Sequence, residues 1–417
     1  KGELLSIDGN HPEANTTWRK ADEIVREWED RLKADSAKVV GDVGSYLIND
    51  KTRRYEGQYY EKVMLRTRLA MNGLMQGNYD EARIAMQKTY ELETEIKNLR
   101  EKEYDKLQDE AKKQQVTASV KDMKGYPMQE LDAPEVTSLK NGYQNAFAHY
   151  LSGFFFGVRG EHSLAEAGYS LTSQLAPGSK YALESLDRKY RRNIGPNESD
   201  VLFVVESGFA PSWKSITIPI PIPRNRSLIA TPLSFPLIKA ENKGFVPPDV
   251  TIAGKKIRVE TLTDLDAIAR RHLRDEMPGI VLRTAIRAVL KSVAQEQANK
   301  AGLVAGLATT VVSVASEQAD DRSWRTLPEK ISIARAILPH GKQMLEFQTE
   351  RGVFRQEVEI GNRFSIIPIR ITGGAVFVGQ PNVIGNVAAL EVAPEQAATS
   401  KAGKRPSTKR APAKKPE

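Results

Sequence analysis

Between Ile216 and Pro223 the chain reads Ile-Thr-Ile-Pro-Ile-Pro-Ile-Pro. A period of two is the pattern of a strand, because successive side chains leave opposite faces of a pleated backbone. Proline has no N–H and a locked φ, so Pro219, Pro221 and Pro223 strip the donors from one side of that strand. Such a segment has no place in the middle of a sheet. It is expected as an edge strand or an extended surface arm, and any fold for this chain must leave one side of it unpaired.

The sequence around it is of the same kind. Val201-Leu202-Phe203-Val204-Val205 is a short apolar run rich in β-branched residues, and Ala253 to Glu260 reads as another strand with a turn at Gly254. Alternation returns strongly at Ile331 to Ile337, Val353 to Ile360 and Phe364 to Ile371. Turns at Pro339-His340-Gly341 and Gly361-Asn362 predict an antiparallel meander through Phe377. Leu262 to Gln297 reads as helix with a break at Pro278-Gly279.

Before residue 193 the periodicity is helical. Leu69-Ala-Met-Asn-Gly-Leu-Met-Gln-Gly77, then Asn78-Tyr-Asp-Glu-Ala82, is a helix of small residues, a glycine turn and a second helix start. Small residues let two helices cross closely and glycine takes the left-handed cap, which is how a tetratricopeptide unit reads. Ala148 to Gly153, Gly160-Glu161, Leu164 to Ala167 and Ala176-Pro177-Gly178 form a looser second copy. Glu91 to Gln115 is a long polar helix between them, and 120–138 a loop. Two copies are fewer than a free-standing solenoid needs, so flanking helices or the second domain must cap them. A plain packed α-bundle is the alternative to a partner-binding repeat face.

The expected fold class is therefore α+β: a tetratricopeptide-like helical repeat domain, then a β-rich, antiparallel, sandwich-like domain. The divisions are a polar lead-in at 1–16, the repeat domain at 17–192, the β-rich domain at 193–392 with an inserted helix at 262–316, and a disordered basic tail at 393–417. From Lys401 on the chain carries Lys401, Lys404, Arg405, Lys409, Arg410, Lys414 and Lys415 against one acid, Glu417. Of the formal net charge of +8, this last stretch holds +6, and the rest of the chain is nearly neutral. The tail has no aromatic residues for base stacking, so no specific nucleic-acid partner is expected.

Cysteine is absent, which excludes disulfides, thiolate metal sites and cysteine nucleophiles and leaves the compartment open. The chain starts without Met and without a signal-like apolar run, as a processed or trimmed chain would. Leu303 to Ala315 is too short to span a bilayer. The Gly302 to Ser316 stretch is expected as a buried helix rather than an exposed apolar hairpin.

The search for reaction chemistry is mostly negative. His11, His149, His162, His272 and His340 show no metal-ligand spacing, and no nucleophile elbow, phosphate loop or dinucleotide fingerprint occurs. No cofactor is expected. Asp264 and Asp266 flank a helix start, where capping is the default role. Two strings are dense enough to single out. Arg53, Arg54 and Tyr55 precede the first repeat helix, with an arginine expected to pair a carboxylate and Tyr55 to pack. Asp320, Asp321, Arg322, Trp324 and Arg325 are expected to form a hydrogen-bonded corner that buries Trp324 between the long helix and the β-meander.

Asn49 to Gly57, the repeat at 69–93, Val205 to Pro211, Asp264 to Ala269 and Asp320 to Pro328 together resemble, in order and over about 35–375, a family of uncharacterised bacterial outer-membrane lipoproteins with tetratricopeptide-like repeats. The resemblance implies a signal and a lipid-bearing cysteine upstream of residue 1, and periplasmic, outer-membrane-associated work. Genes of such proteins often neighbour that of an outer-membrane activator of penicillin-binding proteins. No catalytic residues carry over, and the basic tail lies outside the shared pattern. The expected function is a non-enzymatic scaffold or assembly factor that binds a protein partner in a cell-envelope complex, through repeat helices or strand addition at the proline-rich edge. A second copy of the chain is admitted as partner. The alternative is a peptidoglycan-associated factor anchored by the tail on anionic cell-wall polymer or lipid. A hydrolase would need a pocket joining Asp320, Asp321 and Arg322 with a histidine.

Overall fold

A computed structural model describes residues 1–34, 55, 57–187, 194–224, 227–241, 244–301, 319–380 and 382–383. Arg53 and Arg54, the 302–316 stretch, the 192/193 division and the whole basic tail lie outside them. The protein is a mixed α+β chain with helices first and sheets after. The helices are α1 Gly2–Ile7, α2 His11–Ala34, α3 Tyr59–Met75, α4 Tyr79–Lys113, α5 Pro134–Thr137, α6 Ala146–Val158, α7 His162–Leu175, α8 Lys180–Leu186 and α9 Leu265–Ala301. The strands are β1 Glu198–Ser207, β2 Trp213–Arg224, β3 Ser227–Ile238, β4 Asp249–Ile252, β5 Lys255–Arg258, β6 Glu260–Asp264, β7 Lys330–Pro339, β8 Gly341–Thr349, β9 Gly352–Ile360, β10 Phe364–Thr372, β11 Ala375–Val378 and β12 Asn382–Val383.

Helix α3 is the axis of the helical half, with every residue from Tyr60 to Leu74 buried. A helix buried all round normally carries apolar residues on every face. This one carries Glu61, Lys62, Arg66, Arg68 and Asn72, and buried charges persist only where they are paired. Arg66 Nε lies 2.6 Å from Asp22 Oδ1 and its Nη2 2.9 Å from Glu29 Oε1, both on α2. Asn72 Nδ2 donates to the His11 carbonyl at 3.0 Å. These partners correct the polar lead-in expected at 1–16. That stretch forms α1 and the start of α2, because its polar groups complete those of α3 while Ala14 and Trp18 are buried beside them.

Both helical hairpins cross closely, as their small residues predict. A Cβ on Gly73 of α3 would lie 2.9 Å from the Ala82 amide of α4, and Gly77 makes the turn at φ +71. In the α6–α7 pair a Cβ on Gly168 would meet the Gly153 backbone at 2.7 Å. The 120–138 region holds only short helical turns.

The six-stranded sheet runs β11-β10-β1-β7-β6, with β12 also paired to β10. Its centre, β1, pairs parallel with β10 and antiparallel with β7. The apolar run on β1 is unbroken because both faces are covered. Val201, Phe203 and Val205 enter one core, Leu202 and Val204 the other, which is shared with the helices. A second sheet, β5-β4-β8-β9, covers the first core with Val250, Leu345, Phe347 and Val358. This corrects the single meander expected at 331–377. The turns fall where predicted, but β7 and β10 stay in the six-stranded sheet while the β8–β9 hairpin belongs to the other. Alternation marks a strand without saying which sheet receives it.

The proline-rich segment is β2, and among the described residues it pairs only with β3. Pro219 and Pro221 lie opposite Pro232 and Ala230, and Pro236 lies opposite Ser215. All these prolines share one register class, in which backbone N–H bonds would point away from the partner strand. The hairpin therefore forms with full pairing, and β2 offers no outward donor from Pro219 on. A guest strand added there would find acceptors only, so strand addition at this edge is unfavourable.

Helix α9 corrects the expected break at Pro278-Gly279, since it runs through Pro278 unbroken. Leu273, Met277, Val281, Ala285 and Ile286 are buried on either side of it, and that packing offsets one lost backbone bond. The helix begins at Leu265, three residues later than the periodicity suggested, because Glu260–Asp264 pairs with β7 as β6.

Candidate functional site

The two dense strings of the sequence meet at the N-terminus of α3. Gln58 caps this helix and Glu61, at its third position, completes a reciprocal capping box. Glu61 Oε2 accepts from the Gln58 amide at 2.9 Å and from the Tyr55 hydroxyl. Glu61 Oε1 accepts the Trp324 amide at 2.7 Å. One buried carboxylate thus fixes the residue before α3 and the segment that returns from α9 to β7. Burial pushes the Glu61 carboxyl above its usual range, and these hydrogen bonds pull it back.

Arg322 closes the cluster. Its guanidinium lies 5.1 Å from the Tyr55 ring centre. It also grips Asp320 in a two-point fork, Nε to Oδ1 and Nη2 to Oδ2, each at 2.7 Å. The Arg322 amide donates to Asp320 Oδ1 at 3.1 Å. Trp324 Nε1 donates to Thr326 Oγ1 at 2.9 Å while the indole packs, half-buried, on the main core. The corner at 320–328 is therefore present and hydrogen-bonded, and Tyr55 is packed. Trp324 is less buried than expected, and Arg325 is exposed. Asp321 borders the same corner, half-buried.

Behind Gln58 the network reaches α9. Gln58 Oε1 lies 3.0 Å from His272 Nε2. The His272 ring sits edge-on to Tyr59 and Tyr60, with Trp213 6.2 Å away. Burial, with repulsion from Arg100, pulls its pKa down to about 3, so the ring is neutral at pH 7. Glu61, Gln58 and His272 were missed by sequence reasoning. The Gln-x-x-Glu spacing just before an apolar helix was the available signal for the first two. Nothing in the sequence marks His272, because its partners come from distant segments.

The groups in this cluster are engaged with one another, and what they do is lock three chain segments together. The other buried histidine, His149 on α6, lies 3.0 Å from Glu93 Oε2. Ser152 follows one turn later beside Tyr90, His149 Nδ1 finds no hydrogen-bond partner among the described residues, and the adjoining void of about 10 Å³ holds one water at most. Among the described residues no group of three or more His, Asp or Glu is placed to hold a metal ion, and no helix is long and apolar enough to cross a membrane.

No protein-family model, no curated protein and no solved structure matches this chain.

Proposed function

We propose that this chain is a non-enzymatic scaffold or assembly factor of the bacterial cell envelope, periplasmic and outer-membrane-associated, that holds a protein partner on its helical half. On this reading α3–α4 and α6–α7 are tetratricopeptide-like units, and the sandwich-like pair of sheets is the platform that caps them. The envelope assignment rests on the five ordered strings that resemble the lipoprotein family.

The observation that carries partner binding lies where the two hairpins meet. Arg83 on α4 pairs with Glu161 at the start of α7 and stands 5.2 Å over the Phe156 ring. Ile84, next to Arg83 on α4, and Leu164, three residues after Glu161, are 51% and 40% exposed. Two large aliphatic side chains held open on hairpins joined by an ion pair suit a protein contact better than a small-molecule site. The experiment is affinity capture of the native chain from envelope extracts beside Ile84→Glu/Leu164→Glu. A partner retained by the wild type and lost by the double variant supports the reading. Equal recovery contradicts it.

The second reading, attachment to anionic cell-wall polymer or lipid, is favoured by the concentration of +6 from Lys401 on. Co-sedimentation with sacculi and anionic vesicles, with and without residues 393–417, tests it. Salt-sensitive pelleting that requires the tail supports anchoring.

A further inference from the structure

A second polar cluster, unrelated to the Glu61 node, lies where α1 and α3 meet the end of the six-stranded sheet. Arg68 on α3 and Arg370 on β10 are 6% and 5% exposed. Arg68 Nε lies 2.9 Å from Glu3 Oε1 of α1, and its Nη1 pairs with Glu206 of β1. Arg370 stands beside Glu206 in the parallel register. Its Nη2 donates to the Gly208 carbonyl at 2.7 Å, whereas its Nε and Nη1 meet no acceptor. Phe209 covers this guanidinium, its ring centre 5.3 Å away, and is itself 50% exposed. Gly208 sets the turn that brings the ring there, at φ +67, where the Gly244 backbone and Glu329 leave no room for a Cβ.

A buried guanidinium with two idle donors is costly, because those N–H groups have lost water without gaining a partner. Neither idle donor hydrogen-bonds a nearby acid; the Glu3 and Glu206 carboxylates face Arg68 instead. We propose that Arg370 is the anchor of a carboxylate-binding site, entered by displacement of the Phe209 ring and filled by an acidic side chain or free carboxylate of a ligand. Burial pushes the Glu3 carboxyl up to about 6; below that pH its protonation leaves the two arginines facing one carboxylate, and there the charge balance suits a monoanion. Burial, with repulsion from Arg68, likewise pulls the Arg370 guanidinium below its usual value, against the pull of Glu206 and Glu3. The site is independent of the partner surface near Ile84.

The test uses the intact chain with ¹⁵N-labelled arginine. Acetate is titrated against chloride at matched ionic strength, with inorganic phosphate as a parallel arm. The Arg370 Nε–H resonance, assigned by its loss in Arg370→Gln, should move saturably with acetate and stay still in chloride. Arg370→Lys keeps the charge but loses the idle donors, and should weaken acetate by about tenfold or more, the worth of one hydrogen bond to a charged group. An Arg370 resonance indifferent to acetate overturns the proposal, and so does equal acetate binding by Arg370→Gln. A stronger response to phosphate than to acetate overturns the carboxylate assignment. Where Arg370→Gln fails to fold, Arg370→Lys supplies the assignment and the wild-type titration decides alone.

Discussion

The two halves of this molecule build their interiors from different chemistry. The core between the two sheets is aliphatic and aromatic, and the polar side chains on its face of β1 and β10 are uncharged serines, Ser199, Ser207 and Ser365. The helical half buries Glu3, Asp22, Glu61, Arg66, Arg68, Glu93 and His149 among its apolar residues. An apolar core is non-directional and tolerates exchange of similar volumes. A core of ion pairs is directional: each group needs its partner at a fixed place, and losing one strands the other. The sheets therefore supply bulk stability, and the helices supply a geometry that only one arrangement satisfies. A partner-binding surface benefits from the second property.

The sharpest test of that contrast is where the halves join. Arg335 on β7 forks onto Asp200 at 3.0 and 2.7 Å and donates to the hydroxyls of Tyr150, Tyr169 and Ser185. Arg335→Ala removes the two-point guanidinium fork from the buried Asp200 carboxylate, and should lower the unfolding free energy by about 3–5 kcal/mol in chemical denaturation. A loss below about 1 kcal/mol would mean the join is held by apolar contact alone.

Acid should act first where α9 packs on the helical half. The pKa of His272 is about 3 folded against 6.5 unfolded, so the unfolded chain binds the extra proton between those values. Stability is lost as pH falls through that window, by on the order of 4 kcal/mol at its full extent. His272→Phe, which keeps the aromatic packing, should flatten this acid limb. An unchanged limb would assign acid sensitivity elsewhere.

Trp324→Ala tests the corner at the Glu61 node. The indole is half-buried, so the expected loss is about 2 kcal/mol, below the range for a fully buried tryptophan. A change within error would show the corner to be held by its backbone bonds. Glu3 gives the smallest effect and the opposite sign from His272. Its folded pKa of about 6 lies above its ordinary value of 4.5, so its contribution is fully present below 4.5 and lost as pH rises through 6. Glu3→Gln should remove up to about 2 kcal/mol of that loss and steepen the remaining His272 slope between pH 4.5 and 6. A parallel profile for the variant would place Glu3 outside the titrating set.

The same contrast governs what could be read beforehand. Val201 to Val205 reads as a strand from its residues alone, and prolines at 219, 221 and 223 admit only a strand with one side unpaired. Local patterns of that kind survive folding because they depend on near neighbours. Glu61, Arg66 and Arg68 look like the polar face of an ordinary surface helix, because their partners Asp22, Glu29, Glu206 and the Trp324 amide come from distant segments. The helix through Pro278 and the β8–β9 hairpin failed for the same reason: packing chose the outcome where local preference pointed elsewhere. Tyr55, Asp320 and Arg322 were each singled out, yet nothing in the sequence said that one carboxylate would join their segments.

Partner binding on the helical half is tested most directly by photo-crosslinking in native envelopes. A benzophenone side chain is placed at position 84 or 164 on the helical hairpins, and at 344 or 353 on the exposed face of the β8–β9 hairpin, where Met344 and Val353 are equally open. The account predicts one discrete adduct from 84 and 164, carrying the same protein, and none of that mass from 344 or 353. Adducts of equal yield at all four positions, or at the sheet positions alone, would contradict it.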